Sequence, residues 1–144
     1  MGIEYSVLRC TTIYNAISII KFLRSNTMHN IKELKIWKKG IDLTAKIYEI
    51  SSKFPPDERF GLISQIRRCA VSIPSNISEG AGRNTKGEFI QFLGIANGSS
   101  YELQTQMVIA ERLGFVDIVV YEDILDSIDE IQKMNYNLQK SLKA

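Results

Sequence analysis

Several residue types are scarce in this sequence of 144 residues, which has three prolines, two cysteines and one histidine. Cys10 and Cys69 lack the spacing of a metal site, and no export signal is recognisable, so we predict reduced thiols in a cytoplasmic protein. His29 lies outside the patterned part of the chain and is interpreted as a surface residue. These scarcities leave no obvious His-based catalytic base or His/Cys metal site, and we predict that the protein binds no cofactor.

Long hydrophobic runs are also missing. The apolar stretch from Ile13 to Leu23 is too short to span a bilayer and contains Lys21. No basic segment precedes it, so it does not match a signal peptide either. We therefore expect no membrane association. Residues 1–27 are interpreted as a poorly patterned extension, either a short docked helix or a mis-assigned leader, ahead of one domain at residues 28–144.

The rest of the sequence carries helical patterns. Apolar residues recur at steps of three and four over residues 31–53, 58–82, 86–113 and 118–141. No β-strand pattern of useful length is present. Four helices with short connections predict an all-α fold, an antiparallel up-down-up-down four-helix bundle.

The apolar faces of these helices are predicted from the same spacing. The first helix has its stripe at Leu34, Trp37, Ile41, Ala45 and Tyr48, and Ile36, Leu43, Ile47 and Ile50 widen this apolar face. The second has a stripe at Leu62, Ile66, Ala70, Ile73, Ile77 and Ala81. Pro74 lies inside this second helix and predicts a kink, because proline lacks an N–H and crowds the carbonyl four residues earlier. The third repeats Phe89, Ala96, Leu103 and Ala110 every seven residues, with Leu113 among the residues at the alternate positions, which is typical of coiled-coil packing.

Helix ends and glycines give further local predictions. Thr85 and Glu88 form a capping-box pattern before the third helix, and Gly114 is placed to end it. Gly80 is expected to loosen the end of the second helix. Gly94 and Gly98 stand one turn apart inside the third helix, where each costs about 1 kcal/mol relative to alanine. We interpret that pair as a site of close backbone approach by a neighbouring helix.

No catalytic constellation is evident. The segment from Gly80 to Gly87 superficially resembles a phosphate-binding loop, but it lacks the Walker spacing and follows a helix instead of a strand. We therefore predict a protein that is not an enzyme and has no small-molecule substrate.

A polar cluster interrupts the second helix pattern. Asn76, Glu79 and Arg83 are spaced to share one helix face, where they can bond one another or a partner. One interpretation is a structural network, within or between subunits, in which Asn76, Glu79 and Arg83 are joined by Gln65, Arg68, Ser72 and Glu102. The other is a recognition surface for nucleic acid or a partner, formed by Lys35, Lys38, Lys39, Lys46, Arg67, Arg68, Arg83 and Lys86.

Charge is distributed unevenly along the chain. Residues 31–86 hold eleven Lys/Arg against six Asp/Glu, whereas residues 87–130 hold one against nine. Such a split can attract copies of the subunit to one another or present a basic surface to phosphate, although solvated helix faces are the simpler explanation. With the broad apolar face of the first helix, it favours a head-to-tail contact of the kind that closes into rings.

A long, ordered set of motifs over residues 30–116 resembles the four-helix-bundle proteins encoded in intervening sequences of bacterial 23S ribosomal RNA genes. The motifs include Trp37, Phe54-Pro55, Glu58-Arg59-Phe60-Gly61-Leu62, Gln65-Ile66-Arg67-Arg68, Ser72-Ile73-Pro74-Ser75-Asn76, Gly82-Arg83 and Glu102-Leu103-Gln104-Thr105-Gln106. The resemblance implies a left-handed bundle, a homopentameric ring and a relative that assists the reverse transcriptase of diversity-generating retroelements. Two hypotheses follow. The ring binds RNA or DNA, or it is an interaction scaffold for a ribosomal or reverse-transcriptase-like partner.

Overall fold

The computed structural model of the protein describes residues 30–144. The predictions for residues 1–27, Cys10 and His29 lie outside these described residues. The described chain contains four α-helices and no strand, which confirms the all-α fold class. The helices are α1 (Lys35–Ser51), α2 (Leu62–Ala81), α3 (Lys86–Arg112) and α4 (Ile118–Lys143), with 3-10 turns at Ile31–Glu33 and Pro56–Phe60. None of these helices is long and apolar enough to cross a bilayer.

Two of the helices start later than predicted. Leu34 is extended, with φ −71° and ψ 106°, and it separates the first 3-10 turn from α1. Gly61 breaks the chain before α2, with φ −100° and ψ −118°. The Glu58 carboxylate then accepts a hydrogen bond of 2.9 Å from the Leu62 N–H. A side chain of the preceding turn therefore caps α2, because the first amide groups of a helix have no internal acceptor.

The predicted ends of α3 are confirmed. The Thr85 hydroxyl accepts a hydrogen bond of 3.2 Å from the Glu88 N–H, and the Glu88 carboxylate accepts one from the Thr85 N–H at 3.2 Å. At the other end Gly114 adopts φ +73°. The Phe115 N–H donates to the Ala110 carbonyl at 2.9 Å, which is the bond of a Schellman motif.

The helices pack in a closed cycle, since α1 and α3 each contact both α2 and α4. Between α1 and α4, Lys39 pairs with Glu130 at 2.7 Å and Lys46 pairs with Asp123 at 2.8 Å. Residue numbers therefore rise along one helix as they fall along the other. This is the pairing that the predicted up-down-up-down order requires. The left-handed supercoil stays a prediction.

Most of the core lies where the spacing places it. In α2 the buried stripe includes Ile66, Ala70, Ile73, Ile77 and Ala81. In α3 the residues Phe89, Leu93, Ala96, Leu103, Met107 and Ala110 are buried. Leu113 was expected to extend this seam, but 56% of it is exposed because the helix ends there.

Only part of the predicted apolar face of α1 lies in the core. The helix buries Ile36, Leu43 and Ile47 from that face, together with Gly40. Ile41 and Tyr48, which belonged to the predicted stripe, are 44% and 45% exposed. Both sides of α1 are apolar, so periodicity alone does not select the side that faces α2 and α4. One apolar side of α1 consequently points away from the core.

A close contact between α1 and α2 forms at Pro74. A Cβ atom added to Gly40 would lie 3.3 Å from the Pro74 Cβ, so only glycine allows this approach without displacement. Pro74 leaves the Ala70 carbonyl without its usual helical donor. The Thr44 hydroxyl lies 2.9 Å from that oxygen and 2.7 Å from the Gly40 carbonyl. α1 thus supplies the donor that α2 lacks, and α2 continues unbroken through Pro74.

The predicted role of the glycines in α3 is wrong within the subunit. A Cβ atom added to Gly94 or Gly98 would meet no atom within 4 Å. Close approach occurs instead at Gly80 in α2, where an added Cβ would fall 2.7 Å from the Phe92 Cβ and 2.8 Å from the Phe89 Cδ2. Gly80 therefore brings α2 and α3 together near their connection and does not merely loosen a helix end.

The Thr44 contact gives a stability prediction. We expect Thr44→Val to lower the free energy of unfolding by about 1–3 kcal/mol, because the Ala70 carbonyl loses its partner at a partly buried helix contact. The matched control is Thr105→Val. Thr105 makes only a bond of 3.0 Å to the Tyr101 carbonyl of its own exposed helix face. We expect that variant to stay within about 0.5 kcal/mol of wild type. Urea unfolding measures both, and equal losses would contradict the role assigned to Thr44.

Candidate functional site

Arg67, one of the predicted partner-binding cations, is engaged inside the subunit. Its Nε donates to the Ser51 hydroxyl at 2.8 Å. Its guanidinium lies 4.7 Å from the centre of the Tyr48 ring, a cation–π contact. The side chain is half-buried between α1 and α2. Arg67 therefore contributes to helix packing and has limited freedom to reach a phosphate.

Lys39 and Lys46 also have partners within the subunit, the α4 carboxylates Glu130 and Asp123. Both pairs are about half exposed, and pairs of this kind contribute little to stability. They show that the basic and acidic parts of the sequence lie side by side in the fold. The basic α1 lies beside the acidic first half of α4, so part of the polarity is neutralised within one subunit.

Along the contact between α2 and α3, Arg68 forms the centre of a polar group. Its Nη2 lies 2.8 Å from the Glu102 Oε1 and 3.1 Å from the Gln65 Oε1. Gln106 donates its Nε2 to the same Glu102 oxygen at 3.3 Å. The Gln106 Oε1 is buried and has no hydrogen-bond partner among residues 30–144. Donation to Glu102 fixes the amide in the orientation that leaves its oxygen unpaired.

Two further polar groups follow along the same contact. The hydroxyls of Ser72 and Ser99 are 2.9 Å apart, and the Asn76 Nδ2 donates to the Ser72 hydroxyl at 3.0 Å. Arg83 pairs with Glu79 at 2.6 Å, and its guanidinium lies 4.8 Å from the centre of the Phe92 ring. Asn76 therefore bonds Ser72 and not Glu79. The predicted structural cluster is three separate groups that line one helix contact.

The remaining predicted cations, Lys35, Lys38 and Lys86, are exposed and form no ion pair with another residue of the described chain. Helix pairing places them together at one end of the bundle. The contacts that show this are Gly40 with Pro74, Gly80 with Phe89, and Leu93 with Asn135. The start of α1, the end of α2, the start of α3 and the end of α4 therefore share one end. We call the set Lys35, Lys38, Lys86, Lys140 and Lys143 the lysine end.

An apolar groove runs between α1 and α2. It has a volume of about 540 Å³ and is lined by Trp37, Ile41, Val71 and Pro74, among other residues. Ile41 is 44% exposed and Val71 is 39% exposed. The outward apolar side of α1 thus forms one wall of a surface groove.

Sequence reasoning missed Gly40, Thr44 and Ser99. A glycine inside a helix costs about 1 kcal/mol relative to alanine, and this cost is the signal that could have identified Gly40. Thr44 and Ser99 have no local signal, because their partners lie on other helices. Within residues 30–144 no group of three or more His, Cys, Asp or Glu side chains is arranged to hold a metal ion.

Cys69 lies in the Arg68 group and is 1% exposed. Burial, reinforced by the hydrogen bond and negative charge of Glu102, raises the pKa of the Cys69 thiol from 9.0 to about 11. Because the folded-state pKa is raised, the resulting stabilisation is present below about pH 9 and is lost as the pH rises through about 11. The thiol is therefore poorly suited to act as a nucleophile near neutral pH.

This environment predicts slow alkylation. At pH 8 we expect iodoacetamide to modify Cys69 at least about 100-fold more slowly in the native protein than in urea, since two pKa units separate the thiolate populations. Mass spectrometry of the Cys69 peptide measures the rate, and the urea-unfolded chain is the control. Similar rates in both states would contradict the burial and raised pKa of this thiol.

Comparison with known proteins supports the architecture. A crystal structure of a protein of unknown function from the S23 ribosomal protein family of Bacteroides thetaiotaomicron is 24% identical, with a TM-score of 0.66. The match covers 73% of this chain and 98% of that chain, and it shows the fold alone. No curated protein matches the sequence. The model of the family described as 23S rRNA-intervening sequence protein matches residues 32–137. The chain therefore belongs to the 23S rRNA-intervening sequence protein family.

Proposed function

We propose that this protein is a non-enzymatic, cytoplasmic helical bundle that assembles into a homopentameric ring and binds RNA or DNA through its lysine end. The observation that carries the binding part is the convergence of unpaired cations. Lys35, Lys38 and Lys86 lack carboxylate partners in the described chain and share one end of the bundle with Lys140 and Lys143. Free lysines close together can replace the counterions of a phosphate backbone, which is the main source of nucleic-acid affinity.

Assembly is supported by two unpartnered surfaces of the subunit. One is the apolar groove between α1 and α2, with Ile41 and Val71 exposed. The other is the outer side of α3, where Gly94 and Gly98 have no neighbour within 4 Å of an added Cβ and Ile95 is 47% exposed. Two different apolar surfaces on one subunit allow head-to-tail contacts, and such contacts form a ring when the rotation between neighbouring subunits closes. The number five rests on the family resemblance.

A second candidate function is the protein-interaction scaffold for a ribosomal or reverse-transcriptase-like partner. It is favoured by the engagement of five of the eight predicted cations within the subunit. These five are Lys39, Lys46, Arg67, Arg68 and Arg83. Each engaged cation has less capacity for phosphate, so the surface available to nucleic acid is smaller than the sequence suggests.

Assembly is tested by placing a charge in the apolar groove. We expect wild type to have the mass of five subunits of 16.4 kDa by light scattering at micromolar concentration. Ile41→Asp should reduce this mass, because an unpaired carboxylate in an apolar contact is costly. Ser64→Asp adds the same charge at an exposed position of α2 away from the groove and serves as control. A monomeric wild type would refute the ring.

Nucleic-acid binding is tested by removing three lysines of the lysine end. Anisotropy with fluorescein-labelled RNA and DNA hairpins should show salt-dependent binding that weakens in the K35A/K38A/K86A variant. The slope of log affinity against log salt should fall by roughly one for each phosphate that the variant no longer neutralises. The K53A/R59A/R112A variant removes equal charge from cations outside the lysine end. Equal effects of the two variants would assign the binding to net charge. No binding at low salt would exclude the nucleic-acid function and leave the scaffold.

A further inference from the structure

A second groove runs between α3 and α4, on a surface that neither the polar groups nor the apolar groove includes. It consists of two adjoining depressions of about 360 Å³ and 400 Å³. Both are lined by Tyr101, Gln132 and Tyr136. We call the combined depression the tyrosine groove. Its volume falls in the range of roughly 300–1,000 Å³ that is typical of ligand sites.

The two tyrosines present their rings to solvent. Tyr101 on α3 is 56% exposed, and Tyr136 on α4 is 68% exposed. Within the described part of the chain, neither hydroxyl has a hydrogen-bond partner and neither ring stacks on another ring. Large aromatic side chains are usually at least partly buried, so two exposed rings from adjacent helices beside one groove form an unoccupied contact surface.

The charge around the tyrosine groove is positive. From Phe89 to Tyr101 the α3 sequence has no charged residue, and residues 131–144 carry three lysines and no Asp or Glu. Asp129 is the one carboxylate among the lining residues, and Lys133 neutralises it at 2.6 Å. Lys140 and Lys143 line the groove without an ion pair among residues 30–144. An anionic ligand therefore meets two free ammonium groups and no free carboxylate in this groove.

Amide side chains complete the lining. Gln132 bonds Gln104 at 3.2 Å, and the Gln139 Nε2 donates to the Asn135 Oδ1 at 2.6 Å. The Asn135 Nδ2 in turn donates to the Leu93 carbonyl at 2.9 Å. These bonds hold the amides in place and leave the second polar atom of Gln139 unused. Fixed amide groups beside an aromatic ring can bond the Watson–Crick edges of an unpaired base.

We propose that the tyrosine groove binds single-stranded nucleic acid, with unpaired bases stacked on Tyr101 and Tyr136 and phosphates held by Lys140 and Lys143. This inference rests on the proposed nucleic-acid function and specifies its ligand. Base–aromatic stacking tolerates any base, because each base has a π-face. A duplex buries those faces between its own base pairs and can reach only the lysines. The groove includes Lys140 and Lys143, so it continues directly from the lysine end.

A peptide is the competing occupant, since tyrosine and amide side chains are also common in protein-binding sites. Two features favour a nucleic-acid strand. The free charge of the groove is wholly cationic, and the apolar anchor pocket that a peptide side chain would fill lies elsewhere, between α1 and α2. The groove places aromatic rings beside free cations, the two kinds of contact that the bases and phosphates of a single strand require.

The test compares a single-stranded probe with a duplex probe. It also compares alanine with phenylalanine at the positions of Tyr101 and Tyr136. Anisotropy is measured with a fluorescein-labelled oligo-uridine of roughly 12 nucleotides, within the site sizes of single-strand binders, and with a duplex of equal length. We expect Y101A/Y136A to lose at least about tenfold in affinity for the single strand and to bind the duplex as wild type does. Y101F/Y136F keeps the stacking surface and should retain single-strand affinity. Circular dichroism and light scattering confirm that the variants fold and assemble normally.

The outcomes distinguish failure of this inference from failure of the proposed function. If Y101A/Y136A keeps its single-strand affinity while K35A/K38A/K86A loses it, binding in the tyrosine groove is refuted. Nucleic-acid binding through the lysine end is then supported. Equal loss of duplex and single-strand binding in Y101A/Y136A also overturns base stacking. If wild type binds neither probe at low salt, both proposals fall together. Because Tyr101 lies one turn from Gly98, Y136A alone is the decisive variant should Y101A disturb assembly, and unchanged affinity there contradicts the proposal.

Discussion

The bundle depends on the contact where Pro74 of α2 meets Gly40 of α1. Proline removes a donor inside α2, and the Thr44 hydroxyl of α1 approaches the Ala70 carbonyl that this leaves free. Gly40 favours this contact, because a Cβ atom there would lie 3.3 Å from the Pro74 Cβ and push the two helices apart. That approach fixes the rotation of α1, burying Leu43 and Ile47. The same rotation turns the opposite apolar side of α1 outward, so one packing constraint creates both the core and the groove proposed for assembly.

Part of the charge in this protein is paired within the subunit. Arg68, Arg83, Lys39 and Lys46 each meet a carboxylate, either on a neighbouring helix or one turn away. A basic composition therefore does not by itself define a binding surface. The surface proposed for binding is the place where cations without ion pairs adjoin the tyrosine groove, at one end of the bundle and along the contact of α3 with α4.

Local features were predictable from the sequence, and nonlocal ones were not. The Thr85 cap and the Gly114 turn depend on a few adjacent residues, and the α2 stripe has one apolar side only, so these predictions are confirmed. The predicted α1 face is only partly correct, because both sides of that helix are apolar and the spacing does not show which side is buried. The prediction for Gly94 and Gly98 is wrong within the subunit. A glycine pattern does not show whether the helix that approaches belongs to the same subunit or to another one. In the candidate site, the sequence already grouped Arg68 with Gln65 and Glu102. The partners of Arg67 required the tertiary structure, since Ser51 and Tyr48 lie on another helix.

The buried amide of Asn135 has a consequence for the way α4 can move. It is 1% exposed, donates to the Leu93 carbonyl and accepts from Gln139. A shift of α4 by one turn would leave this amide against apolar side chains without partners, which is costly in a core. Asn135 therefore fixes the register of α4 relative to α3. The helices α3 and α4, which form the tyrosine groove, therefore keep one register. The separation of Tyr101 and Tyr136 is then the same for any ligand that binds between them.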